Sequence, residues 1–140
     1  MGGNAILIEY RVGNDLRLEE VIDVYRSCSL GARRPVDDTE RMREMLSNAD
    51  IVVTAWDGSL LVGISRSISD FHYATYLSDL AVRETHQRQG IGKELIRRTQ
   101  QEAPIANLIL LSAPAAVEYY PHIGFSRHDS CWILRPGQTV

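Results

Sequence analysis

Hydrophobic and polar residues alternate in the opening segment of the chain, residues 6–12, after a short continuous apolar start. A period of two is typical of a strand with one half-buried face, so this segment predicts a first strand. From Leu16 the apolar positions recur at helical spacing and Asp15 can act as the N-cap, which predicts an amphipathic helix. A second helix is predicted to begin at Asp38 or Thr39, because either side chain can cap a helix.

The hydrophobic period changes from helical to alternating near residue 51. Residues 51–56 are β-branched and apolar, the dipeptide Asp57-Gly58 is a strong signal for a tight hairpin turn, and residues 60–68 continue as an alternating strand. A third strand is predicted over residues 73–82. These three strands therefore predict an antiparallel meander.

The second half of the chain predicts a crossover back to the same sheet. Helical spacing extends over residues 92–103 until Pro104 stops it, and residues 108–111 form a short continuous apolar run. Such a run is typical of a strand covered on both faces, and a preceding helix permits parallel pairing with the third hairpin strand. A short helix over residues 115–122 and one or two strands over residues 125–134 complete a mixed sheet.

The size and charge of the chain exclude several classes of protein. It has 140 residues with 44% hydrophobic and 24% charged side chains, which predicts one globular domain over residues 1–140. The net charge of −3 argues against nucleic acid as a partner, and no apolar run is long enough to cross a membrane or to act as a signal peptide, so we expect a cytoplasmic protein. Only Cys28 and Cys131 are present, and no cluster has metal-ligand spacing, so neither disulfide nor metal is predicted.

The chemistry-bearing segment is a strand that runs through a loop with two glycines into a helix, residues 80–93. The first turn of a helix leaves several backbone N–H groups unpaired and carries a partial positive charge, so it can bind phosphate. A Cβ at Gly90 or Gly92 would intrude on such a ligand. Residues 83–98 also carry five cationic and two acidic side chains, which favours a polyanionic ligand.

Two other phosphate-binding loops are excluded by spacing. The chain has no Gly-x-x-x-x-Gly-Lys-Ser/Thr sequence, and Leu95 stands where a dinucleotide-binding loop needs its third glycine. The alternative that the two glycines merely form a tight turn beside a solvated basic helix stays open at this point.

The segment Gln87-Arg-Gln-Gly90-Ile-Gly92 resembles the Gln/Arg-x-x-Gly-x-Gly/Ala signature of the GNAT superfamily of N-acetyltransferases. It follows a strand that ends Leu80-Ala81-Val82, as in that family. Residues 116–125 (AVEYYPHIGF) are similar to the family's Ala-x-x-Phe-Tyr-x-x-x-Gly-Phe segment, and the predicted order of elements also agrees. The resemblance therefore covers nearly the whole chain.

The resemblance implies an α/β (α+β) fold with a mixed, mostly antiparallel sheet of six to seven strands, about four helices and a V-shaped splay between the fourth and fifth strands. Acetyl-CoA would lie in that splay, and the third hairpin strand would carry a β-bulge that aims a backbone N–H at the thioester oxygen. A homodimer is common in the family. The cofactor-binding residues implied are Leu80, Ala81, Val82, Gln87, Arg88, Gln89, Gly90, Ile91, Gly92 and Lys93.

The resemblance also implies a proton donor but leaves the base open. Tyr120 occupies the family's tyrosine position and would protonate the leaving thiolate, with its neighbour Tyr119 as a second candidate. Ser78 stands where some relatives carry Glu, and strand alternation predicts that Ser78 and Asp79 point to opposite faces. A water-relayed proton could instead reach one of several acceptors, whereas His86 is expected at the surface. These acceptors are Asp70, His72, Asp79 and His122.

The acceptor is expected between the first helices and the hairpin, with residues 27–38 as the specificity loop. In that loop Arg33 and Arg34 could receive a carboxylate or phosphate, although both could equally be solvated. The function implied is transfer of acetyl from acetyl-CoA to a primary amine of a small molecule or peptide by direct attack. Two alternatives remain: a catalytically weak module that binds or senses acetyl-CoA, and an interaction domain whose glycine loop is only a turn.

Overall fold

A computed structural model describes residues 7–140, so Ile6 of the predicted first strand lies outside the described residues. The described part of the chain contains five strands and four α-helices, with three short 3₁₀ turns between them. The predicted number of helices is confirmed, whereas the prediction of six to seven strands is wrong. In chain order the elements are β1 (Ile8–Val12), α1 (Leu18–Arg26), α2 (Thr39–Ser47), β2 (Ile51–Asp57), β3 (Leu60–Ser69), β4 (Ala74–Val82), α3 (Ile91–Glu102), β5 (Asn107–Leu110) and α4 (Tyr119–His122).

The five strands form one sheet in the order β1-β2-β3-β4-β5. The pairs from β1 to β4 are antiparallel, and β5 returns parallel to β4, as the crossover pattern predicted. The β2–β3 hairpin turns at the predicted dipeptide, where Gly58 has a φ of +60° that favours glycine. The predicted mixed, mostly antiparallel sheet is therefore confirmed.

Two hydrophobic clusters hold the helices to opposite faces of the sheet. On one face α1 and α2 bury Val24, Tyr25 and Met42 against β3. On the other face α3 buries Ile91 and Leu95 against β2 and β3. β4 contributes to both clusters because its side chains alternate, and it therefore connects both halves of the core.

The helix caps explain where each helix begins. Asp38 caps α2 as predicted, since its carboxylate accepts a hydrogen bond from the Arg41 backbone N–H at 3.1 Å. α1 begins later than predicted, with Arg17 rather than Asp15 at the N-cap and no side-chain hydrogen bond there. Glu19 and Glu20 in its first turn favour the helix dipole instead.

The last third of the chain departs most from the sequence prediction. β5 was expected to be covered on both faces, but its residues alternate between exposed and half-buried, and Ile109 is 50% exposed. Residues 125–134 form no strand in the described part of the chain, and Trp132 is 91% exposed. The end of this tail, residues 131–134, is a continuous apolar run, but a strand also needs a hydrogen-bonded neighbour, and the tail pairs with none in the described part of the chain. Among the helices that the structure describes, none has the length and apolar character needed to span a bilayer.

Candidate functional site

The fifth strand covers only the first part of the fourth strand. Their parallel pairing covers only the pairs from Ala74↔Asn107 to Leu77↔Leu110, whereas β4 continues to Val82. Ala81 faces Ile64 of β3, and backbone groups alternate between the two sides of an antiparallel strand. The Arg83 N–H donates to the Val62 carbonyl oxygen at 2.7 Å, so by alternation Ala81 also bonds to β3, and Leu80 and Val82 turn their backbone groups to the other side. That side of β4, beyond the end of β5, is called the splay below, because the resemblance implied a V-shaped splay at this place.

β4 leads into the glycine loop at the mouth of this splay. Arg88 and Gly90 both have positive φ, +64° and +83°, and these two left-handed residues turn the chain sharply into α3. The first backbone bond of the helix is donated by the Glu94 N–H to the Gly90 carbonyl oxygen at 3.1 Å. The amides of residues 91–93 precede that bond and have no partner within the helix, so they can bind an anion.

Not all of the basic side chains near this loop are available to a ligand. Arg97 and Arg98 both pair with Glu94, whose pKa falls to about 2 chiefly because Arg97 hydrogen-bonds to it. Arg83 pairs with Asp23 at 2.9 Å. Within residues 7–140 no carboxylate lies within 4 Å of the cationic groups of Arg88 or Lys93. The positive charge offered to an anion therefore comes from the helix amides and these two side chains.

A β-bulge lies in β4 at the deep end of the splay. Arg66 pairs with Asp79 and the next residue of β3, Ser67, pairs with Leu77, which leaves Ser78 as an extra residue. Hydrogen bonds from both sides fix the bulge: Arg34 Nη2 donates to the Ser78 carbonyl oxygen at 2.7 Å, and Arg66 Nη2 donates to Ser78 Oγ at 3.0 Å. The bulge is therefore a rigid feature of the strand.

Asp79 is the centre of a buried hydrogen-bonded cluster beside the bulge. Its carboxylate has no exposed surface and accepts hydrogen bonds from Tyr25, Arg34 and Arg66 at 2.6 Å each and from Ser78 at 3.1 Å. Burial acts to raise the pKa of Asp79, but the hydrogen bonds and charge of Arg66, with the other donors, outweigh it and hold the pKa below its ordinary value. Asp79 is thus an ionised structural anchor.

The predicted orientation of Ser78 and Asp79 is wrong. Both side chains lie on the same face, since Ser78 Oγ donates to Asp79 and accepts from Arg66. The bulge is the reason, because an extra residue in the strand interrupts the alternation of side chains. With four donors around it, Asp79 is closed to an incoming amine and its place among the candidate proton acceptors is not supported.

Tyr120 and the loop after α1 form the walls of a small cavity over the bulge, with a volume of about 160 Å³. Tyr120 is half-buried and lies edge-on to Tyr119 and Phe125, with ring centroids 5.3 and 5.5 Å away. Burial raises the pKa of the Tyr120 phenol, Tyr119 adds to this, and the charge of Arg33 opposes it. The lining residues are Cys28, Ser29, Leu30, Arg33, Arg34, Leu77, Ser78, Leu80, Val82, Gln87, Leu110, Leu111, Ala113, Ala116 and Tyr120.

A model of the acetyltransferase (GNAT) domain matches residues 30–132, nearly three quarters of the chain. The chain belongs to the GNAT acetyltransferase family. It is 29% identical over 121 residues to "Probable acetyltransferase TAP2" of Glycine max, an alignment that spans 76% of this chain and 48% of that protein. The chain thus spans about half the length of the curated relatives it matches.

Solved GNAT structures share the fold over almost the whole chain. An acetyltransferase of the GNAT family from Streptococcus pneumoniae TIGR4 superposes with a TM-score of 0.73 at 24% identity, covering 92% of this chain and 99% of that one. The aminoglycoside N-acetyltransferase AAC(6')-Iy, solved in complex with CoA, gives 0.73 at 16% identity, covering 96% and 98%. At these identities the likeness concerns the fold alone.

The two glycines of the loop leave the backbone accessible beside the splay. A Cβ built on Gly92 would lie 3.8 Å from Val82 and 3.9 Å from Leu80, in ordinary contact, and one on Gly90 would meet no atom within 4 Å. Both glycines therefore border open space, into which a diphosphate can approach the backbone. Gln87 lies at the loop end of the splay, where its Nε2 donates to the Val82 carbonyl oxygen at 2.9 Å.

The side chains of two of the implied cofactor-binding residues are not available to a cofactor. The side chains of Ala81 and Ile91 are 1% and 2% exposed and pack in the two hydrophobic clusters. Ala81 also pairs through its backbone with β3, so it does not face the splay. Arg88, Gln89 and Lys93 are exposed at the loop.

The remaining candidate proton acceptors lie outside the cavity. Asp70 accepts hydrogen bonds from the backbone N–H groups of residues 72–74, mainly that of Tyr73, which lower its pKa to about 2. His72 and His122 are exposed and are not among the lining residues. His86, expected at the surface, is buried instead, and its Nε2 lies 2.9 Å from Asp57 Oδ2.

Sequence reasoning missed the three side chains that surround Asp79. Arg34 was considered only as a substrate contact, and Arg66 and Tyr25 were read as ordinary members of a strand and a helix. One signal was available, since Arg66 occupies an inward position of an alternating strand, where a cation needs a buried partner. A larger cavity of about 350 Å³ lies between α1 and α2 and is lined by residues of these two helices, but the bulge and the glycine loop do not border it.

Proposed function

We propose that the protein is an N-acetyltransferase that transfers acetyl from acetyl-CoA to a primary amine by direct attack. One observation carries the proposal: the open edge of β4 runs from the bulge at Ser78 past Val82 to the unpaired amides of α3, with Tyr120 beside the bulge end. This arrangement offers an extended groove, an anion site and a proton donor in a single line.

Each part of the groove along β4 has a proposed binding role. The amides of residues 91–93, aided by Arg88 and Lys93, would hold the diphosphate. Backbone groups of Leu80 and Val82 would pair with the pantetheine arm in the manner of an added strand. Acetyl-CoA supplies an activated acyl thioester. A backbone N–H at the bulge would donate to the thioester oxygen, where negative charge develops.

Tyr120 is the proposed general acid. As the amine nitrogen bonds to the acyl carbon, the bond from carbon to sulfur breaks and the sulfur takes the phenolic proton. The raised pKa of Tyr120, caused mainly by burial, keeps the phenol protonated at neutral pH. The phenol is then restored with a proton from water.

The proton lost by the amine is proposed to leave through water. The cavity lining in the described part of the chain includes neither a carboxylate nor an imidazole. We therefore expect direct attack by an amine that arrives neutral, with turnover increasing as pH rises toward the pKa of the acceptor.

The test is to replace Tyr120 by Phe and to measure CoA thiol release and acetyl-CoA affinity separately. Loss of a general acid is expected to lower kcat by about 100-fold or more while the Kd of acetyl-CoA stays within a factor of about two. Tyr119→Phe is the matched control, because Tyr119 lies outside the cavity lining and 40% of its surface is exposed.

Three outcomes separate the alternatives. If Tyr120→Phe turns over as fast as the wild type, Tyr120 is not the general acid. Binding of acetyl-CoA without thiol release for any amine would favour the binding or sensing module. Absence of acetyl-CoA binding would leave only an interaction domain.

We also propose that the protein acts in the cytoplasm and forms a homodimer. The exposed apolar residues of the tail, such as Trp132 and Leu134, support self-association, because isolated proteins tend to cover such surface. Light scattering after size exclusion would give twice the mass of 15.8 kDa for a dimer.

A further inference from the structure

We infer that the acceptor amine carries an anionic group, a carboxylate or a phosphate, and that Arg33 binds it. The inference rests on the proposed acetyl transfer and names the substrate class of the same site. It depends on how charge is distributed around the cavity over the bulge.

The cavity is electropositive. Two of the residues that line it are arginines, and none of its lining residues in the described chain is acidic. The Asp79 carboxylate contacts the lining residues Ser78 and Arg34, but it is fully buried and is shared by Arg34 and Arg66. Two cations against one anion leave that cluster positive, and Arg33 adds a further positive charge.

Arg33 and Arg34 have different tasks although they are adjacent. Arg34 donates to Asp79 at 2.6 Å and to the Ser78 carbonyl oxygen at 2.7 Å, and its side chain is only 20% exposed. Arg33 is exposed, and no carboxylate in the described chain lies within 4 Å of its guanidinium. Arg34 is therefore part of the scaffold, whereas Arg33 is the cation that can bind a ligand.

The position of Arg33 suits an acceptor rather than the diphosphate of the cofactor. The cavity extends along β4 from Ser78 to Val82, and Arg33 belongs to its bulge end, because the neighbouring Arg34 donates to the Ser78 carbonyl oxygen. The unpaired amides of α3 lie beyond the opposite end of the strand. A guanidinium binds carboxylate and phosphate through two parallel hydrogen bonds, which would orient the amine as well as attract it.

The same charges disfavour polycationic acceptors. A polyamine or an aminoglycoside would bring several positive charges next to Arg33 with no carboxylate to receive them. Two of the structural neighbours are complexes of the aminoglycoside acetyltransferase AAC(6')-Iy, at 16% and 17% identity. At those identities the likeness concerns the fold alone, so the acceptor class is inferred from the charges of this cavity.

Matched acceptor pairs test the inference directly. The panel contains an α-amino acid with its amide, phosphoethanolamine with ethanolamine, and spermidine and kanamycin as polycations. We expect at least one anionic member to exceed its neutral partner in kcat/KM by about tenfold or more, and the polycations to be the poorest acceptors. The two pairs distinguish carboxylate from phosphate as the preferred group.

Charge reversal at Arg33 assigns the preference to this residue. Arg33→Gln is expected to abolish the preference for the anionic partner, and Arg33→Glu is expected to invert it. Arg43→Glu is the matched control, since Arg43 is an exposed arginine of α2 outside this cavity and the change in net charge is the same. The control should leave the preference of the wild type unchanged.

The outcomes distinguish this inference from the proposed function. If acetyl-CoA binds and neutral or polycationic amines are acetylated as well as anionic ones, the inference is wrong and the proposed function stands. If acetyl-CoA binds and no anionic amine is acetylated, the inference is likewise overturned. If acetyl-CoA does not bind at all, both fail. A preference that survives Arg33→Glu would exclude Arg33 as its cause.

Discussion

Substitution of Gly90 separates charge from backbone strain at the proposed phosphate site. Gly90 is the N-cap of α3, with a φ of +83°, and a Cβ there would meet no atom within 4 Å. Asp and Asn have nearly the same shape and both tolerate this conformation better than other side chains. Gly90→Asp and Gly90→Asn should therefore lose a similar stability, about 1 kcal/mol, and differ only in charge.

The magnitude follows from Coulomb's law. A carboxylate at residue 90 would lie roughly 6 Å from a diphosphate held by the next three amides. Repulsion between it and two negative charges at that distance is about 1.4 kcal/mol in a fully aqueous dielectric and about 5.5 kcal/mol at a dielectric constant of about 20. The Kd of acetyl-CoA should thus be at least about tenfold higher for Gly90→Asp than for Gly90→Asn.

Isothermal titration calorimetry at low and high salt measures this difference. The ratio of the two Kd values should shrink as salt is added, because screening weakens the repulsion. Gly137→Asp, at a tail glycine with a φ of +87°, is the control for the change in net charge and should bind like the wild type. Equal affinity of the Asp and Asn variants at low salt would refute the phosphate site at α3.

Two further predictions concern the tyrosines. Tyr25→Phe removes one of the four donors to Asp79 and should cost about 1–3 kcal/mol in urea unfolding at pH 7, whereas Tyr73→Phe, at a position 73% exposed, should cost nothing measurable. The pKa of Asp79 is lower in the folded protein than in the unfolded chain, where it is about 3.9. The stabilisation from Asp79 is therefore present above about pH 3.9 and is lost as pH falls through the folded pKa. Because Tyr25→Phe weakens this stabilisation, the variant should unfold at a higher pH than the wild type in an acid titration. Burial raises the pKa of Tyr120, so kcat should fall only at a pH above the ordinary titration of a phenol. The charge of Arg33 opposes this rise, so Arg33→Gln should move the decline to higher pH, and an unchanged profile would show that Arg33 does not act on the Tyr120 phenol.

Local signals in the sequence predicted most of the scaffold. The turn at Gly58, the cap at Asp38 and the crossover from β4 through α3 to β5 each depend on a few neighbouring residues, and all three agree with the structure. The glycine loop was equally visible, because a loop between a strand and a helix needs no distant partner to expose its amides.

The features that were not predicted depend on distant partners. The environment of Asp79 brings together Tyr25 of α1, Arg34 of a loop and Arg66 of β3, and no local pattern connects them. The resemblance implied a bulge in this strand but not its position, and at Ser78 the extra residue places Ser78 and Asp79 on one face, where a period of two predicts opposite faces. The tail over residues 125–134 forms no strand although β1 and β5 are edge strands of the described sheet, because an apolar run does not by itself bring the tail to an edge.

Amide hydrogen exchange with and without CoA tests the central claim most directly, because the claim names the backbone groups that bind it. The account predicts slower exchange in two segments, residues 80–82 at the open edge of β4 and residues 88–93 before and within the first turn of α3, with little change in α1 and α2. Protection confined to the cavity between α1 and α2, or no protection in either segment at saturating CoA, would contradict it.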